Sequence, residues 1–578
     1  MKLVKYLFKN NTFKALFILI LIFSNLFLEM LSIALFIPFI TILVDKNFDK
    51  LNFIEEYHLD FFLRNDNFDI LNIFLILIFF IFLIKNIFLL FSNFYQNKFF
   101  EKLQIKLSET LFKSYLNKNY LFFTENNTAN LIRNLRAEAN SSVIYIQSCI
   151  NLFSELIIIF GIITLLFLTN YKITFILIFI LIPCLLVFYL LTKNYISILG
   201  KRRAAFDGSI NKDIIEGLGA IREIKIYGKE LLFHKNFLEN LKKFSNVSIY
   251  YNLINFTPRV LLELLLILCI LIMIFFLNSN LISYSQPIIT LVGLFGVASI
   301  RMLPSTIKIM TNIQTIKFRA NSLKIISNEL ENLNEGFEYE KNRENQNISK
   351  FDFDFKNDFK VEFKDISFSY PNSNEIIFNN ISIELKKNSF YGIYGSSGSG
   401  KSTFVDLLSG FLLPTNGNIS LNNQDIRNNS GLWKKKIGYV SQKTFLFDDT
   451  IQNNITFGEK IFNKKKLEEI IHNAGLADLV YNKLIDGLNT VVGENGAKLS
   501  GGQIQRIGIA RALFSDPLIL IFDEATNALD NNAEDRILKT ISNISENKIT
   551  TLISHDLNSL RFCDKLIEIR NKNCYFVK

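Results

Sequence analysis

The sequence predicts a two-part chain: an all-α polytopic membrane domain followed by an α/β domain built on a P-loop. Three observations carry this. Of 578 residues, 49% are hydrophobic and 58 are Phe, and the excess crowds into runs before residue 304 that are too long for soluble helices. After about residue 360 the pattern changes to short β-type runs alternating with helical ones. Within that second part, Gly395-Ser396-Ser397-Gly398-Ser399-Gly400-Lys401-Ser402-Thr403 follows an apolar run and precedes Phe404-Val405-Asp406-Leu407-Leu408, the strand–loop–helix setting of a phosphate site. A chain this long exceeds one core. Its expected divisions are a transmembrane domain at 1–330, a charged, Asn-rich linker at 331–359 and the P-loop domain at 360–578.

Six spans are expected, near residues 13–44, 68–95, 149–169, 173–191, 260–277 and 281–303, the first of them longer than the roughly 20 residues a bilayer requires. The lysines at positions 2, 5, 9 and 14 precede an apolar run far longer than a signal peptide's, so the first span is read as uncleaved. Segment 45–67 is acidic, 170–171 is a tight turn and 278–280 is uncharged; these suit the outside. Segments 96–148 and 192–259 are long and rich in Lys and Arg, which suits the cytoplasm and places both termini there. Their helical spacing is unbroken at the membrane edge, so the spans should run on as long cytoplasmic helices. Short punctuated pieces at 124–131 and 216–225 read either as plain loops or as transverse helices touching the P-loop domain. Segment 47–62 could lay an apolar face on the outer surface or simply cap the bundle. The net charge of +10 is explained by the positive-inside rule, so no nucleic acid partner is expected. The five cysteines form no CxxC, which argues against a zinc site or a disulfide framework.

The P-loop residues have definite work. Gly395, Gly398 and Gly400 let backbone N–H groups curl around phosphate, with Ser396, Ser397 and Ser399 between them, and the helix N-terminus adds its dipole. Lys401 can reach the β- and γ-phosphates, and the Ser402 hydroxyl, next to Thr403, can ligate Mg²⁺. Leu518-Ile519-Leu520-Ile521-Phe522 is an apolar strand ending in Asp523 and Glu524. Asp523 suits the Mg²⁺ shell, and Glu524 is placed to polarise a water against the γ-phosphate. The expected ligands are ATP and Mg²⁺.

Leu499-Ser500-Gly501-Gly502-Gln503 adds a second phosphate motif: two glycines for close approach and a Ser that opens a helix. With the P-loop it resembles the signature of ATP-binding-cassette (ABC) proteins. The resemblance covers nearly the whole chain and is to an ABC exporter half-transporter: six transmembrane helices with long cytoplasmic extensions, then an α/β P-loop ATPase domain. It implies that Ser500, Gly501, Gly502 and Gln503 complete the P-loop of a second copy, in a homodimer with two ATPs sandwiched. It also implies that Tyr370 stacks on adenine and that Gln442, in Tyr439-Val440-Ser441-Gln442, senses Mg²⁺ and the membrane domain. His555 becomes the switch that contacts the γ-phosphate. Val492-Gly493-Glu494 matches a coupling loop and Asn527-Ala528-Leu529-Asp530 the loop crossing the dimer. Two positions depart from the exporter pattern: Asn527 stands where Ser is usual, and Asp556 follows the switch His where Arg is usual.

Cargo must be read from the spans, where ionisable groups are costly. These are Glu29, Lys85, Glu155, Arg259, Glu263 and Arg301. Arg259 and Arg301 fall near the inner interface and are candidates for binding an anionic headgroup; an Arg259–Glu263 pair or snorkelling are the plainer readings. Thr257-Pro258-Arg259-Val260-Leu261-Leu262-Glu263 and Ile300-Arg301-Met302-Leu303-Pro304-Ser305 resemble bacterial flippases of lipid-linked oligosaccharides. That resemblance implies ATP-driven flipping of a polyprenyl-pyrophosphate-linked oligosaccharide across the inner membrane. Export of lipid A or another lipid, or of a peptide or drug, is the alternative.

Overall fold

The computed structural model describes residues 12–35, 67–169, 171–278, 288–346, 358–371, 373, 375–526 and 531–577. It divides into two compact units: Met1–Lys118 with Glu125–Phe337, and Asn119–Thr124 with Glu338–Lys578.

The first unit is helical. Its long members are α1 (Thr12–Ala34), α2 (Asn67–Leu116), α5 (Ala139–Thr169), α6 (Tyr171–Gly219), α8 (Glu230–Asn278) and α9 (Ile288–Gln346). Short helices α4 (Thr128–Arg133) and α7 (Ile221–Ile226) punctuate them, while α3 (Tyr120–Glu125) falls, but for its last residue, with the second unit. Among the described residues, Phe13–Ser32, Leu75–Leu116 and Thr128–Leu168 are long and apolar enough to cross a membrane. The 50 residues of α2 make a rod of about 75 Å at the α-helical rise, whereas the hydrocarbon layer is about 30 Å thick. The helix is therefore far longer than the layer it would cross, as the unbroken spacing predicts. The core of the extensions joins Ile18, Phe99, Leu103, Leu107, Leu111, Ala139, Val143 and Ile326, all buried. At Gly200 a side chain is sterically excluded: a Cβ there would sit 2.0 Å from the Phe318 carbonyl oxygen. This lets α6 and α9 meet backbone to backbone, beside Tyr251 stacked on Phe318 at 3.8 Å between centroids.

Several of the charges described in this unit are paired. Lys85 Nζ lies 3.2 Å from Glu29 Oε1, both buried, and Lys308 Nζ 2.9 Å from Glu155 Oε1. A π-helical turn, Asn134–Glu138, separates α4 from α5 and buries Asn134 and Glu138. There Arg203 donates to both Glu138 oxygens, at 3.0 and 3.1 Å, and to Ser322 Oγ at 3.0 Å. Arg259 donates through Nε to Glu263 at 3.1 Å, so the intrahelical pair is present.

Several expectations shift. Helix α9 continues through the first half of the expected linker, to Gln346; the stretch is rich in Glu, good for helices, and has no Pro. The segment grouped with the second unit is Asn119–Thr124, which precedes the piece at 124–131. Segments 45–66 and 279–287 and the side chain of Arg301 lie outside the described residues.

The second unit carries two sheets. The smaller is antiparallel, in the order β2 (Ile376–Lys386), β1 (Lys360–Ser369), β4 (Asn416–Leu421), β5 (Gln424–Asp425). The larger runs β10 (Asn573–Val577), β9 (Lys565–Arg570), β3 (Ser389–Tyr394), β8 (Ile549–Ile553), β7 (Ile519–Asp523), β6 (Ile437–Val440). It is parallel except for the β9–β10 pair. Strands β3, β7 and β8 are buried on both faces, which explains their continuous apolar runs. Helix α10 (Lys401–Leu408) packs beside them, with Phe404 stacked on Phe363 at 4.9 Å. Because β3, β8, β7 and β6 are parallel neighbours, the loops after them emerge at one edge, where ligands of such sheets bind.

Candidate nucleotide site

The P-loop leaves β3 after Tyr394 and enters α10 at Lys401. Gly398 and Gly400 adopt φ of +78° and +105°, the left-handed region that side chains disfavour. At Gly395 the obstacle is proximity: a Cβ would lie 2.5 Å from the Ile569 carbonyl oxygen. Lys401 Nζ donates to the Gly395 and Ser396 carbonyls at 2.9 and 3.0 Å, tying the loop into a ring. Burial holds its ammonium below the usual range, against the opposing pull of Glu524 and Asp523. Ser396 and Ser397 are exposed, whereas Ser399 Oγ is buried without a hydrogen-bond partner. A curled, glycine-hinged backbone with an orphaned hydroxyl and a lysine beside it fits a phosphate group.

Strand β7 delivers Asp523 and Glu524 to the same edge. Tyr439, at the end of β6, donates its hydroxyl to Asp523 Oδ2 at 3.0 Å. Burial pushes the Asp523 carboxyl up, with the Tyr439 bond opposing. Glu524 takes φ +50°, a strained conformation for a non-glycine residue, and its N–H is anchored on the Ile553 carbonyl at 3.1 Å. Gln442 Nε2 donates to Glu524 Oε2 at 2.7 Å, and His555 Nε2 lies 2.9 Å from Glu524 Oε1. The three loops after β6, β7 and β8 thus meet on one carboxylate. Ser402 is exposed on the first turn of α10. Its hydroxyl, the Gln442 carboxamide and the Asp523 carboxylate are an all-oxygen donor set, which suits a hard divalent cation such as Mg²⁺. Among the described residues no cluster of three His, Cys, Asp or Glu side chains competes for another metal.

Tyr370 sits beside this machinery, its hydroxyl 3.1 Å from Thr403 Oγ1. The signature opens helix α11 (Gly501–Phe514). Ser500 is its N-cap: Gln503 N–H donates to Ser500 Oγ at 3.3 Å, and Ser500 N–H to Gln503 Oε1 at 2.9 Å. This reciprocal capping box holds the exposed Ser500 and Gly501 in place. Gly493, in the coupling-loop triplet, has φ +77°. Asp556, one of the two departures, accepts from Asn558 N–H at 2.9 Å and so closes its own turn. The other, Asn527, falls with residues 527–530 outside the described residues.

Sequence reading passed over Tyr439, Phe411, Tyr120 and Asp406. Phe411 packs edge-on against Tyr439 at 6.0 Å between centroids and tilted against Tyr120 at 5.6 Å. Asp406, on α10, has its carboxyl pushed up to about 6 by burial and by nearby Asp523. The signal for Tyr439 was its place three residues before Gln442 on a strand neighbouring β7.

Comparisons with known proteins agree with this geometry. Residues 378–527 match the family model described as ABC transporter, and residues 15–298 the model described as ABC transporter transmembrane region. A putative export ATP-binding/permease protein of Rickettsia bellii is 43% identical over 215 residues, 37% of this chain and 37% of that protein. The alpha-hemolysin translocation ATP-binding protein HlyB of Escherichia coli O157:H7 is 40% identical over 212 residues, 36% of this chain and 30% of that protein. ABC transporter B family member 14 of Arabidopsis thaliana is 40% identical over 215 residues, 37% of this chain and 17% of that protein. The matched stretch therefore spans little more than a third of these relatives, or less. The structure of a bacterial Atm1-family ABC exporter with ATP bound superposes with TM-score 0.77 at 19% identity, covering 97% of this chain and 95% of that one; this speaks for the fold. The helical region and the α/β unit that follows it make this chain a member of the ABC transporters, with the domain order of an exporter.

Proposed function

We propose that the protein hydrolyses ATP to move an amphipathic cargo across a membrane, working as a homodimer. The observation that carries the reading is Glu524, held at both oxygens beside the P-loop lysine. Lys401 leaves the carbonyls of Gly395 and Ser396 for the β- and γ-phosphates. Glu524 orients water for attack, steadied by Gln442, and His555 turns toward the γ-phosphate. Mg²⁺, held by Ser402, Gln442 and Asp523, supplies Lewis-acid stabilisation of phosphate charge when bound. Tyr370 offers its ring to adenine. Ser500, Gly501, Gly502 and Gln503 of one copy close on the P-loop of the other, and alternating access follows from closing and release of the two cassettes.

For cargo, a polyprenyl-pyrophosphate-linked oligosaccharide at the inner membrane, with the ATPase units cytoplasmic, is the favoured reading. Its support is the two short sequence resemblances and Arg259. The Arg259 side chain is 59% exposed and bonds Glu263 through Nε, whereas Glu29 and Lys85 are buried against each other. Guanidinium suits pyrophosphate oxygens. Export of lipid A, or of a peptide or drug, is the competing reading, the hemolysin-translocation relative favouring a polypeptide. The test is ATP-dependent flipping in proteoliposomes of purified protein. Lipid-linked oligosaccharide should move, and Arg259→Ala and Arg301→Ala should each lose this movement while basal ATP hydrolysis persists. Movement of lipid A, peptide or drug without the oligosaccharide would overturn the cargo.

A further inference from the structure

The tandem acids Asp523 and Glu524 are each served by a donor from the β6 end: Tyr439 for the first and Gln442 for the second. Gln442 is accounted for by the site reading, and Tyr439 is not. Its hydroxyl fixes one oxygen of a largely desolvated carboxylate with two other acids, Glu524 and Asp406, in its field. A carboxylate so placed would otherwise rotate toward whichever donor comes nearest. Its ring is in turn held by Phe411, which touches Tyr120. Leu121, next along the chain, packs on the core that contains Phe404 and Val405 of α10.

We propose that Tyr439 is a positioning residue for Asp523, with its ring held by Phe411, so that the grip of the nucleotide site on its divalent cation depends on the Tyr439 hydroxyl. This rests on the nucleotide-site reading above. The chemistry is that of an outer-shell partner: a phenol that aims a metal-ligating carboxylate without touching the metal.

The experiment uses full-length protein in lipid nanodiscs. Mn²⁺ is titrated in the presence of a non-hydrolysable ATP analogue and followed by electron paramagnetic resonance, and nucleotide binding is measured separately in EDTA. Tyr439→Phe keeps the ring and its packing. It should weaken Mn²⁺ binding about tenfold and leave binding in EDTA unchanged. Phe411→Leu should weaken it in the same direction and by less. A Tyr439→Phe titration superimposed on that of the unmodified protein overturns the positioning role. Asp523→Asn separates the two levels: if it too leaves Mn²⁺ binding intact, the cation site itself is misassigned and the underlying reading fails.

Discussion

The helical unit and the nucleotide site hold their acids in different ways. The helical unit sets cation against anion: Lys85 with Glu29, Arg203 with Glu138, Lys308 with Glu155. The α/β unit holds its tandem acids chiefly with neutral groups, a phenol on Asp523 and a carboxamide on Glu524. Neutralised pairs specify which helices face each other, at a desolvation cost that good geometry only partly offsets. Neutral donors orient a carboxylate and leave its negative charge in place for a cation or a water. The first arrangement fixes structure, and the second keeps charge available for chemistry.

The contrast can be broken at either end. The largest effect is expected from Glu524→Gln, which keeps the shape and removes the charge. ATP binding should persist while phosphate release falls by about 10²–10⁴-fold; near-normal release would remove Glu524 from its role. Next comes Arg203→Ala, which strands Glu138, fully buried, without its cation. Loss of one member of a buried pair costs about 3–5 kcal/mol, so the thermal unfolding midpoint should drop sharply, and Arg203→Met with Glu138→Leu should recover most of it. An unmoved midpoint for the single variant would mean that the pair does not specify the helix contact.

The smallest effect is a pH dependence in the α/β unit. The Asp406 carboxyl is raised to about 6 in the folded chain, against about 4 unfolded. The folded state therefore holds that proton more tightly, and the stability contributed is full below about pH 4 and lost as pH rises through 6. Asp406→Asn should flatten this component. Measured without Mg²⁺, the variant should gain on the unmodified protein between those pH values and be the more stable at pH 7.

What could be read in advance was local. The P-loop is nine contiguous residues, the acids are adjacent, and the capping box of Ser500 and Gln503 spans three positions. Each is a short-range geometric problem, so spacing alone constrains it. The bond from Tyr439 to Asp523 crosses 84 positions, and that from Arg203 to Glu138 crosses 65. Both depend on which strands or helices become neighbours, and hydrophobic periodicity does not encode that. Glu29, Lys85 and Glu155 stood out because charge is rare in apolar runs, yet their pairing needed the relative rotation of helices. Lys308, the partner of Glu155, lies beyond the apolar run, where a lysine is ordinary.

The π-helical turn at Asn134–Glu138 carries one last consequence, and it concerns chain length. Each residue of an α-helix turns it by about 100°, and a π turn accommodates one residue more than α geometry would. Deleting one residue from this turn would therefore let it close as ordinary α-helix with the register of α5 kept, whereas deleting one from the α-helical residues beyond it would swing the rest of α5 by that angle. The turn is thus the place in this stretch where a change of chain length by one residue is absorbed, and the helix beyond it is where such a change is felt along its whole face.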